Sequence, residues 1–513
     1  MTKAAKTDAP RGWPLAPGTV RAVLNGHGIL GLAFAALIYL VCLTGTLAVF
    51  AGDIARWEAP GAPVANQFAP GALDRAVKAA QTGGPAQATL YLTLPSPAQD
   101  GARILAYTPT EHHDWAIARD GTLTEQHTPF SEFLIDLHIA LHLPRTWGAM
   151  LVGLTGVALL SVLISGILAH PRVFKDAFSL RRGGARRLQE ADLHNRLGTW
   201  ALPFHVTIAL TGAILGLTTL IVGVLAMLLY GGNTARVYGF FFEPPPAANA
   251  AAQPLPALAP LLLDARRRSD GAAPQQLMIE RAGRADARIA ITSRRDRLLV
   301  PQDTTVFDAR GRMVTDRHPA DLPAGVTLLG GIGQLHFGWF GGLPVRLLYG
   351  LLGLALCLVT SSGVTIWLAR RRDRGRAVPL WERLWTAVAW GQPVALALTA
   401  AASLALPAFG DALIWLWLAL TLALLLAAGL SRQFGAAAGS IRARQAVGGT
   451  LLGVALFYLF VRPVDLSGLG VEAALLLGAA LLLRGPRRIA SPDARHRRNG
   501  SAAGNAAVPN DQG

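Results

Sequence analysis

The sequence predicts an α-helical polytopic membrane protein of about eight transmembrane helices, with two small α+β modules outside the bilayer. Three observations predict this fold class. Hydrophobic residues make up 52% of the 513 residues, and the mean hydropathy is positive, as is typical of chains that cross a membrane several times. The apolar residues form eight runs, each close to the roughly 20 residues that span a bilayer. Two long polar segments between these runs show helix and strand patterns.

The predicted transmembrane helices are the eight apolar runs. They lie at 28–51, 147–169, 203–230, 345–369, 384–407, 411–430, 446–461 and 468–484. The first run is too long for a removable signal peptide and has no small-residue cleavage site, so we expect it to remain as an anchor.

The distribution of arginine and lysine predicts the orientation of these helices. Basic residues concentrate in segments 171–191, 370–376 and 431–444 and in the tail after residue 484. Because short cytoplasmic loops are enriched in such residues, we expect these four segments and the N-terminus in the cytoplasm. Segments 52–137 and 231–335 are then outside. The second is rich in arginine, but long translocated segments do not follow the charge rule.

Several classes of protein and site are disfavoured by composition. The net charge of +16 does not indicate nucleic-acid binding, because the basic residues lie beside apolar runs. Cys42 and Cys357 lie inside apolar runs, so the sequence predicts neither a disulfide framework nor a cysteine metal site. The C-x-x-C-H motif for covalent haem attachment is absent from the sequence. The sequence also has no nucleotide-binding glycine motif, so we expect electrons to come from a partner or from quinol.

The two outer segments have the same order of patterns. Each begins with a helix-like stretch, GALDRAVKAAQ from Gly71 and LAPLLLDARRRSD from Leu258. Strand-like runs follow, ATLYLTL, ARILAYT and DWAIARDGTLTEQ in the first segment and QQLMIE, ARIAITS and TTVFDARGRMVT in the second. Gly121 and Gly311 mark a hairpin turn near the end of each segment. We therefore predict two α+β modules of one kind.

An internal repeat accounts for this similarity. At one constant offset, His27, Gly31, Thr44 and Gly45 match His194, Gly198, Thr211 and Gly212. His138 in LHIALHLP matches His336 in LHFGWFGGLP, and Gly153, Gly156, Ser165 and Gly166 match Gly350, Gly353, Ser362 and Gly363. Because both copies of this helix, module and helix unit start on the cytoplasmic side, their symmetry axis is expected to run along the membrane normal.

The repeat divides the chain into six regions. They are a cytoplasmic N-terminal tail (1–23), the first repeat (24–172), a basic cytoplasmic loop (173–190), the second repeat (191–372), four C-terminal transmembrane helices (373–484) and a basic, disordered cytoplasmic tail (485–513). The four C-terminal helices have no counterpart in the repeat.

Seven of the twelve histidines lie in or at the ends of the first four predicted spans. They are His27, His138, His142, His170, His194, His205 and His336. Ionisable residues are rare in bilayers unless they have a function. The predicted topology puts His27, His170, His194 and His205 toward the cytoplasm and His138, His142 and His336 toward the outside. Since two facing imidazoles can hold the iron of a planar haem, the best candidate ligands are the symmetry mates, with His205 beside them.

Spacing along the helices leaves the ligand pairing open. His138 and His142 are four residues apart and share a helix face, so either one can reach the same site. His194 and His205 are separated by roughly 16 Å along a helix, so they cannot bind one iron together. Three arginines are candidates to neutralise haem propionates: Arg145, Arg172 and Arg346.

Other interpretations of the histidines are a proton relay and a path for divalent metal ions. Few carboxylates lie in the predicted spans, which disfavours both, because transported divalent metals usually find oxygen ligands beside imidazole. His112 and His113, next to Glu111 and Asp114, are a weaker candidate for a surface iron site. A solvated loop is the more common use of such residues.

Four motifs give the chain a family resemblance: LHNRLG, LHIALHLP, SGILAHPR and LHFGWFGGLPVRLLYGLLGLAL. Over residues 20–372 the chain resembles the PepSY-associated transmembrane proteins. These are often described as iron-regulated membrane proteins and include ferric-siderophore reductases of the bacterial inner membrane. The resemblance implies b-type haem, periplasmic PepSY-like modules and reduction of ferric chelates. The two layers of histidines predict two haem groups.

The sequence thus predicts an inner-membrane electron-transfer protein, a transmembrane ferric reductase that releases iron from a siderophore or another ferric chelate. The predicted partners are the lipid bilayer, the ferric chelate and a cytoplasmic or quinol electron donor, with no nucleic acid. Two alternatives come from other classes. One is a non-redox regulator or adaptor whose modules bind a periplasmic protein, and the other is a transporter for a metal or another substrate, which the additional helices favour.

Overall fold

A computed structural model of the chain describes residues 15–96, 101–169, 186–240, 246–295, 302–322, 324–431, 437–463 and 468–484. The described chain consists of apolar helices and one antiparallel β-sheet. The predicted N-terminal tail, the basic loop 173–190 and the tail after residue 484 lie largely outside the described residues.

The helices are numbered in chain order. The first repeat contains α1 (Pro17–Ala33), α2 (Ala35–Ala48), α3 (Ala51–Glu58), α4 (Ala72–Gly83), α5 (Pro129–Ala140) and α6 (Arg145–Ala169). The second repeat contains α7 (Arg186–Trp200), α8 (Leu202–Gly216), α9 (Thr218–Tyr230), α10 (Thr234–Tyr238), α11 (Leu258–Arg268), α12 (Ala324–Phe337) and α13 (Gly342–Asp373). The C-terminal helices are α14 (Pro379–Ala405), α15 (Leu413–Leu430), α16 (Ala437–Val461) and α17 (Leu469–Leu483).

Five of the described helices are long and apolar enough to cross a membrane by themselves, namely α6, α13, α14, α15 and α16. The count rises to seven if α1 with α2, and α7 with α8, each form one bent span. The apolar helices α9 and α17 are shorter. These helices indicate a multi-pass membrane protein.

The predicted spans 28–51 and 203–230 are not single straight helices, and the sequence prediction was wrong on this point. A bend of 65° separates α1 from α2 at Phe34, and one of 69° separates α7 from α8 at Ala201. The bend at Ala201 lies just before the predicted span 203–230, and that span is itself broken at Leu217. Phe34 and Ala201 occupy equivalent positions, so the bend belongs to the repeated unit. Hydropathy could not reveal it, because an apolar run reports total length and not the dihedral angles of one residue.

The sheet has eight antiparallel strands. They are β1 (Thr89–Thr93), β2 (Arg103–Tyr107), β3 (His112–Ile117), β4 (Leu123–Glu125), β5 (Pro274–Glu280), β6 (Arg288–Arg294), β7 (Gln302–Asp308) and β8 (Met313–Arg317). Their spatial order is β4-β3-β2-β1-β5-β6-β7-β8. Each predicted strand-like run is therefore confirmed, and the two predicted module helices are confirmed as α4 and α11.

The two predicted modules are halves of one continuous sheet. Strands β1 and β5 pair antiparallel, with Leu90 opposite Ile279 and Tyr91 opposite Met278. Each module alone would leave the edge of its first strand unpaired, and exposed strand edges tend to pair with other strands. Pairing of β1 with β5 removes this edge from both modules.

One face of the sheet is packed and the other is turned toward the membrane helices. Helices α4 and α11 cover the packed face, where Leu92, Ile104 and Leu277 are fully buried. On the opposite face, Arg294 Nη2 donates to the Trp339 carbonyl at 2.7 Å, in the link between α12 and α13. His112 Nε2, on the same face, lies 3.4 Å from Glu132 Oε2 on α5. The sheet therefore lies over one end of the helix bundle, which we call the sheet side. The opposite end is the far side.

The two repeats pack against each other crosswise through glycines. Helix α6 meets α8 where a Cβ on Gly216 would lie 2.7 Å from Gly153 Cα. Helix α2 meets α13 at the symmetry-related crossing, where a Cβ on Gly350 would lie 2.8 Å from Phe50. Small residues allow helix backbones to approach this closely in a membrane.

The C-terminal helices pack on the first repeat. The shared core includes Ile54 and Trp57 of α3, Phe133 of α5, Leu396 of α14 and Tyr458 of α16. A hydrogen bond of 2.5 Å from the Tyr39 hydroxyl to the Ala389 carbonyl joins α2 to α14. The four additional helices thus enclose one repeat.

Candidate cofactor site

Four of the predicted histidines share one mode of attachment, and two of them lie on the far side. On α1, His27 Nδ1 lies 3.0 Å from the Val162 carbonyl of α6. On α7, His194 Nδ1 lies 3.0 Å from the Val359 carbonyl of α13. A serine hydroxyl three residues after each valine is also close to Nδ1, Ser165 at 3.2 Å and Ser362 at 3.0 Å. These two histidines are the far-side pair.

The other two lie on the sheet side and are attached in the same way. On α5, His138 Nδ1 donates to the Val41 carbonyl of α2 at 3.1 Å. On α12, His336 Nδ1 lies 2.9 Å from the Thr211 hydroxyl of α8. Because that hydroxyl already donates to the Thr207 carbonyl at 2.6 Å, it accepts from His336. His138 and His336 are the sheet-side pair.

These bonds set the tautomer of all four imidazoles. A carbonyl can only accept, and the Thr211 hydroxyl already donates elsewhere, so each Nδ1 carries the proton and Nε2 keeps its lone pair. A hydrogen bond from the distal nitrogen is the usual way in which proteins orient a histidine that binds a metal. The four rings are half-buried and present the nitrogen that metals bind.

A glycine lies against each of the four rings. A Cβ on Gly45 would lie 2.6 Å from His138 Cε1, and one on Gly212 would lie 3.0 Å from His336 Cε1. The far-side distances are 3.2 Å from Gly166 to His27 and 3.3 Å from Gly363 to His194. Each of these glycines follows a serine or threonine placed near Nδ1. The hydroxyl provides an acceptor and the glycine provides room for the ring.

The sheet-side pair has the geometry of two ligands to one metal. The ring centres of His138 and His336 are 6.2 Å apart, and the ring planes differ by 19°. Two imidazoles that share one metal, each with a nitrogen about 2 Å from it, have ring centres about 6 Å apart. Each ligand is anchored within its own repeat, so the pair joins the repeats.

The donor set fits haem. No group of three or more metal-ligating side chains occurs among the described residues, and a porphyrin requires only two because it supplies four nitrogens itself. The far-side pair also has space beside it. A Cβ on Gly28 or Gly198 would have no atom within 4 Å, and one on Gly31 would meet only Val162 at 4.0 Å.

Comparison with known proteins shows the family of the chain. The family model of the PepSY-associated TM region matches residues 24–370. The chain belongs to this family. It is also 31% identical over 403 residues to the uncharacterized protein PA4219 of Pseudomonas aeruginosa, a match that covers 72% of this chain and 99% of the relative. The resemblance predicted from the motifs is confirmed, and the match to the PepSY-associated region ends before α14.

The remaining predicted histidines of this PepSY-associated protein lie elsewhere. His142 Nε2 donates to the Phe133 carbonyl at 2.9 Å, and its ring stacks on Phe133 at 4.8 Å. It therefore closes the end of α5 and does not join His138. His205 on α8 is 0% exposed, and neither ring nitrogen makes a hydrogen bond. It occupies the position of Ile38 in the first repeat. His170 lies outside the described residues.

Two of the arginines predicted to meet propionates are paired with aspartates. Arg346 forms an ion pair with Asp53 of α3. Arg145 lies 3.3 Å from Asp136, with both side chains largely exposed. Arg172 lies outside the described residues. On the far side, a cavity of about 240 Å³ is lined by Leu188, Ala191, Ile366, Arg370, Asp373 and Arg374. The lining residue Ala191 is about one helical turn before His194 on α7.

His113 on the sheet is engaged by carboxylates. Its Nε2 lies 3.1 Å from Glu111 and its Nδ1 lies 3.1 Å from Glu125. Hydrogen bonds to these two carboxylates raise the pKa of His113 above its usual value. Since a protonated imidazole has no lone pair for a metal, this arrangement favours an ion-paired surface histidine over the surface iron site considered from the sequence.

Sequence reasoning missed the residues that orient the ligands. The main-chain acceptors are the carbonyls of Val41, Val162 and Val359. Because every residue has such a carbonyl, the sequence gives no sign of which ones accept. The serine and threonine acceptors did leave a signal, since each stands directly before a glycine and recurs in the repeat. The repeat alignment included these serines and threonines. Their role as hydrogen-bond acceptors became clear only from the contacts between helices in the structure.

Proposed function

We propose that this protein carries electrons across the bacterial inner membrane through two haem b groups and reduces siderophores or other ferric chelates on the periplasmic side. The observation that carries this proposal is the separation of 6.2 Å between the ring centres of His138 and His336. Helices from different repeats hold these imidazoles at the spacing that a shared iron requires. The arginine-rich far side is assigned to the cytoplasm by the positive-inside rule.

The residues of the chain hold each ligand in the state that binds iron. Nδ1 donates to a carbonyl or hydroxyl, so Nε2 has no proton and would be free to bind iron. A haem bound between two such nitrogens would supply a one-electron redox centre. With two imidazoles to hold it, this group would serve electron transfer better than the binding of a small ligand.

Two pairs at different depths provide a route through the bilayer. The acceptor Val162 lies about 25 Å along α6 from Arg145 at its sheet-side end. The far-side pair is therefore placed to receive electrons from a cytoplasmic donor or a quinol, and the sheet-side pair to pass them outward. The bundle between the pairs is apolar, so it keeps water away from the route.

The ferric substrate is assigned to the space between the sheet and the helix ends. Contacts of Arg294 and His112 connect the open face of the sheet to the helices on both sides of this space. Exposed aromatic side chains lie at its lower edge, with Trp147 at 70% and Trp339 at 56% exposure. A chelate held there would be close to the sheet-side pair. Siderophores hold Fe(II) more weakly than Fe(III), so reduction would release the metal.

The test is a spectrum of the purified protein in detergent. We expect a b-type haem spectrum that dithionite reduces, with two haem groups per chain. His138→Ala and His27→Ala should each remove one haem, and His142→Ala is the matched control that should retain both. In proteoliposomes containing reductant, outside ferric chelate should yield Fe(II) with the wild type only. A protein without haem, or full reductase activity in His138→Ala, would refute the proposal.

A further inference from the structure

The two cysteines of the chain belong to different repeats but lie in one part of the core. Cys42 is on α2 and packs against the buried cluster that contains Cys357 of α13 and Tyr39. Cys357 is 3% exposed, and Cys42 is partly buried against the same cluster. The interface between the repeats therefore holds both thiols of the protein together.

The register of α2 on α13 brings Cys42 and Cys357 to the same level of the bundle. The two helices approach closely at Gly353, where a Cβ would meet the Thr46 hydroxyl. Because α2 and α13 run antiparallel, one turn back along α2 from Thr46 leads to Cys42, and one turn forward along α13 from Gly353 leads to Cys357. A disulfide requires Cα atoms about 4.4–6.8 Å apart, and crossings through glycine bring helix backbones close to each other.

The thiols also lie between the two histidine pairs. Val41, next to Cys42, accepts the hydrogen bond of 3.1 Å from the sheet-side ligand on α5. Val359, two residues after Cys357, accepts the hydrogen bond of 3.0 Å from the far-side ligand on α7. Each sulfur is thus within two residues of a carbonyl that orients a ligand. The part of the core that holds the cysteines therefore lies between the surroundings of one pair and those of the other.

The symmetry-related crossing has no thiols. The repeat matches Cys42 to Ala209 on α8 and Cys357 to Leu160 on α6. Both residues pack in the core of that crossing, where Ala209 is 2% exposed. Alanine and leucine fill these positions, so packing does not require cysteine at either one. The thiols are therefore specific to one of two equivalent contacts.

We propose that Cys42 and Cys357 form a redox-active dithiol that closes into a disulfide between the repeats. On oxidation, both S–H bonds break and one S–S bond forms. The two protons leave the apolar interface for water at the surface of the bundle, and the two electrons pass one at a time to a one-electron oxidant, a ferric complex. Two electrons and two protons open the bond again. The pair thus stores two electrons beside the route between the histidine pairs.

The test counts thiols in the full-length protein in detergent. The protein is treated with dithionite or with ferricyanide, denatured in iodoacetamide, digested and analysed by mass spectrometry. We expect two alkylated cysteines after dithionite and none after ferricyanide, with one cross-linked peptide that contains Cys42 and Cys357. Two free thiols after ferricyanide, or separate oxidation of each cysteine, would overturn the proposal.

Variants that copy the symmetry-related crossing provide the control. Cys42→Ala and Cys357→Leu introduce the residues found at Ala209 and Leu160, so both variants should fold. In each, the remaining cysteine should stay open to alkylation after ferricyanide. A reductive titration of the oxidised variant should consume two electrons per chain fewer than the wild type. Equal electron counts would contradict the proposal.

The thiol count does not depend on the proposed haem groups. A disulfide formed in a protein that lacks haem would support the dithiol and refute the electron-transfer proposal. Two unreactive thiols in a protein that contains haem would refute the dithiol and leave the electron-transfer proposal supported.

Discussion

The helices that carry the sheet-side pair are held differently in the two repeats. At the start of α5, which carries His138, the Glu58 carboxylate accepts the backbone N–H of Phe130 at 2.7 Å and that of Ser131 at 2.8 Å. The rest of α5 packs against the C-terminal helices. Helix α12, which carries His336, has exposed leucines and contacts mainly α8.

The same contrast extends to the neighbouring helices. Trp57 of α3 in the first repeat is 1% exposed, whereas Val224 of α9 at the corresponding place in the second repeat is 48% exposed. The local attachment of each ligand, a hydroxyl followed by a glycine, is nevertheless present in both repeats. Ligand orientation is thus encoded locally, and the support of the helix behind it is not. Variants that alter one repeat at a time separate these two contributions.

The largest effect is expected from the glycines beneath the ligands. In Gly45→Ala the new Cβ would lie 2.6 Å from His138 Cε1, so the ring has to move. In Gly212→Ala the distance to His336 is 3.0 Å, which small shifts can accommodate. We expect Gly45→Ala to lower the haem content of the sheet-side site by more than about 10-fold, and Gly212→Ala to have a smaller effect. Gly52→Ala, with open space at its Cβ, is the control.

Removal of the hydroxyl acceptors should have the larger effect in the second repeat, the opposite of the result expected for the glycines. His336 depends on the Thr211 hydroxyl at 2.9 Å, whereas His138 has the Val41 carbonyl and lies 3.5 Å from Thr44. Loss of such an acceptor typically weakens metal binding by about 10- to 100-fold. Thr211→Val should therefore reduce haem retention much more than Thr44→Val, as measured by haem loss to apomyoglobin. Equal losses would show that the carbonyl does not anchor His138.

Removal of the Glu58 carboxylate tests the support of α5 directly. Glu58→Ala leaves two N–H groups and the Ser131 hydroxyl at the helix start without their acceptor, which costs about 1–3 kcal/mol for buried groups. We expect a lower thermal midpoint and faster loss of the sheet-side haem only. Arg56→Ala, which removes the partly exposed ion pair with Asp53 on the same helix and leaves Asp53 paired with Arg346, is the control. An unchanged midpoint would mean that the C-terminal helices alone hold α5.

Replacement of His205 is expected to stabilise the protein slightly. His205→Ile introduces the residue of the first repeat, Ile38, and removes a buried imidazole without hydrogen bonds. The gain should be about 1 kcal/mol, visible as a small rise in the thermal midpoint. The haem content should remain that of the wild type. Loss of one haem in this variant would instead identify His205 as a ligand.

The smallest effect is a dependence of stability on pH. Burial raises the pKa of Glu58 to about 7, above the value of about 4.3 in an unfolded chain. The folded state therefore favours the protonated carboxyl, and this contribution to stability is lost as the pH rises through about 7. The thermal midpoint of the wild type should fall between pH 5 and 8 more than that of Glu58→Gln. Parallel curves would contradict this assignment.

The sequence predicted the parts of the fold that local patterns encode. The alternation of residues in ARIAITS and QQLMIE and the turn glycines Gly121 and Gly311 were sufficient for strands and hairpins. The repeat predicted that His138 belongs with His336, and the structure brings these two rings together. Covalent order and periodicity are properties of the chain itself, so one sequence can reveal them.

Features that depend on contacts between distant segments could not be predicted. The pairing of β1 with β5 involves two strands far apart in the sequence, and either strand could have been an edge. The bends at Phe34 and Ala201 leave the apolar runs intact. The ambiguity between His138 and His142 was resolved by two positive φ angles, 53° at Leu141 and 52° at His142, which turn the chain after His138. The periodicity of the sequence does not predict these φ angles.

The continuous sheet has a consequence for the history of the molecule. Strands β1 and β5 open the two modules, and they pair antiparallel about a local two-fold axis. Contacts between identical surfaces about such an axis are how identical subunits form dimers. A half-length ancestor with one repeat would therefore have assembled as a homodimer, with one pair of histidines shared between subunits on each side of the bundle. Gene fusion then freed each copy to diverge, and only one acquired the four additional helices.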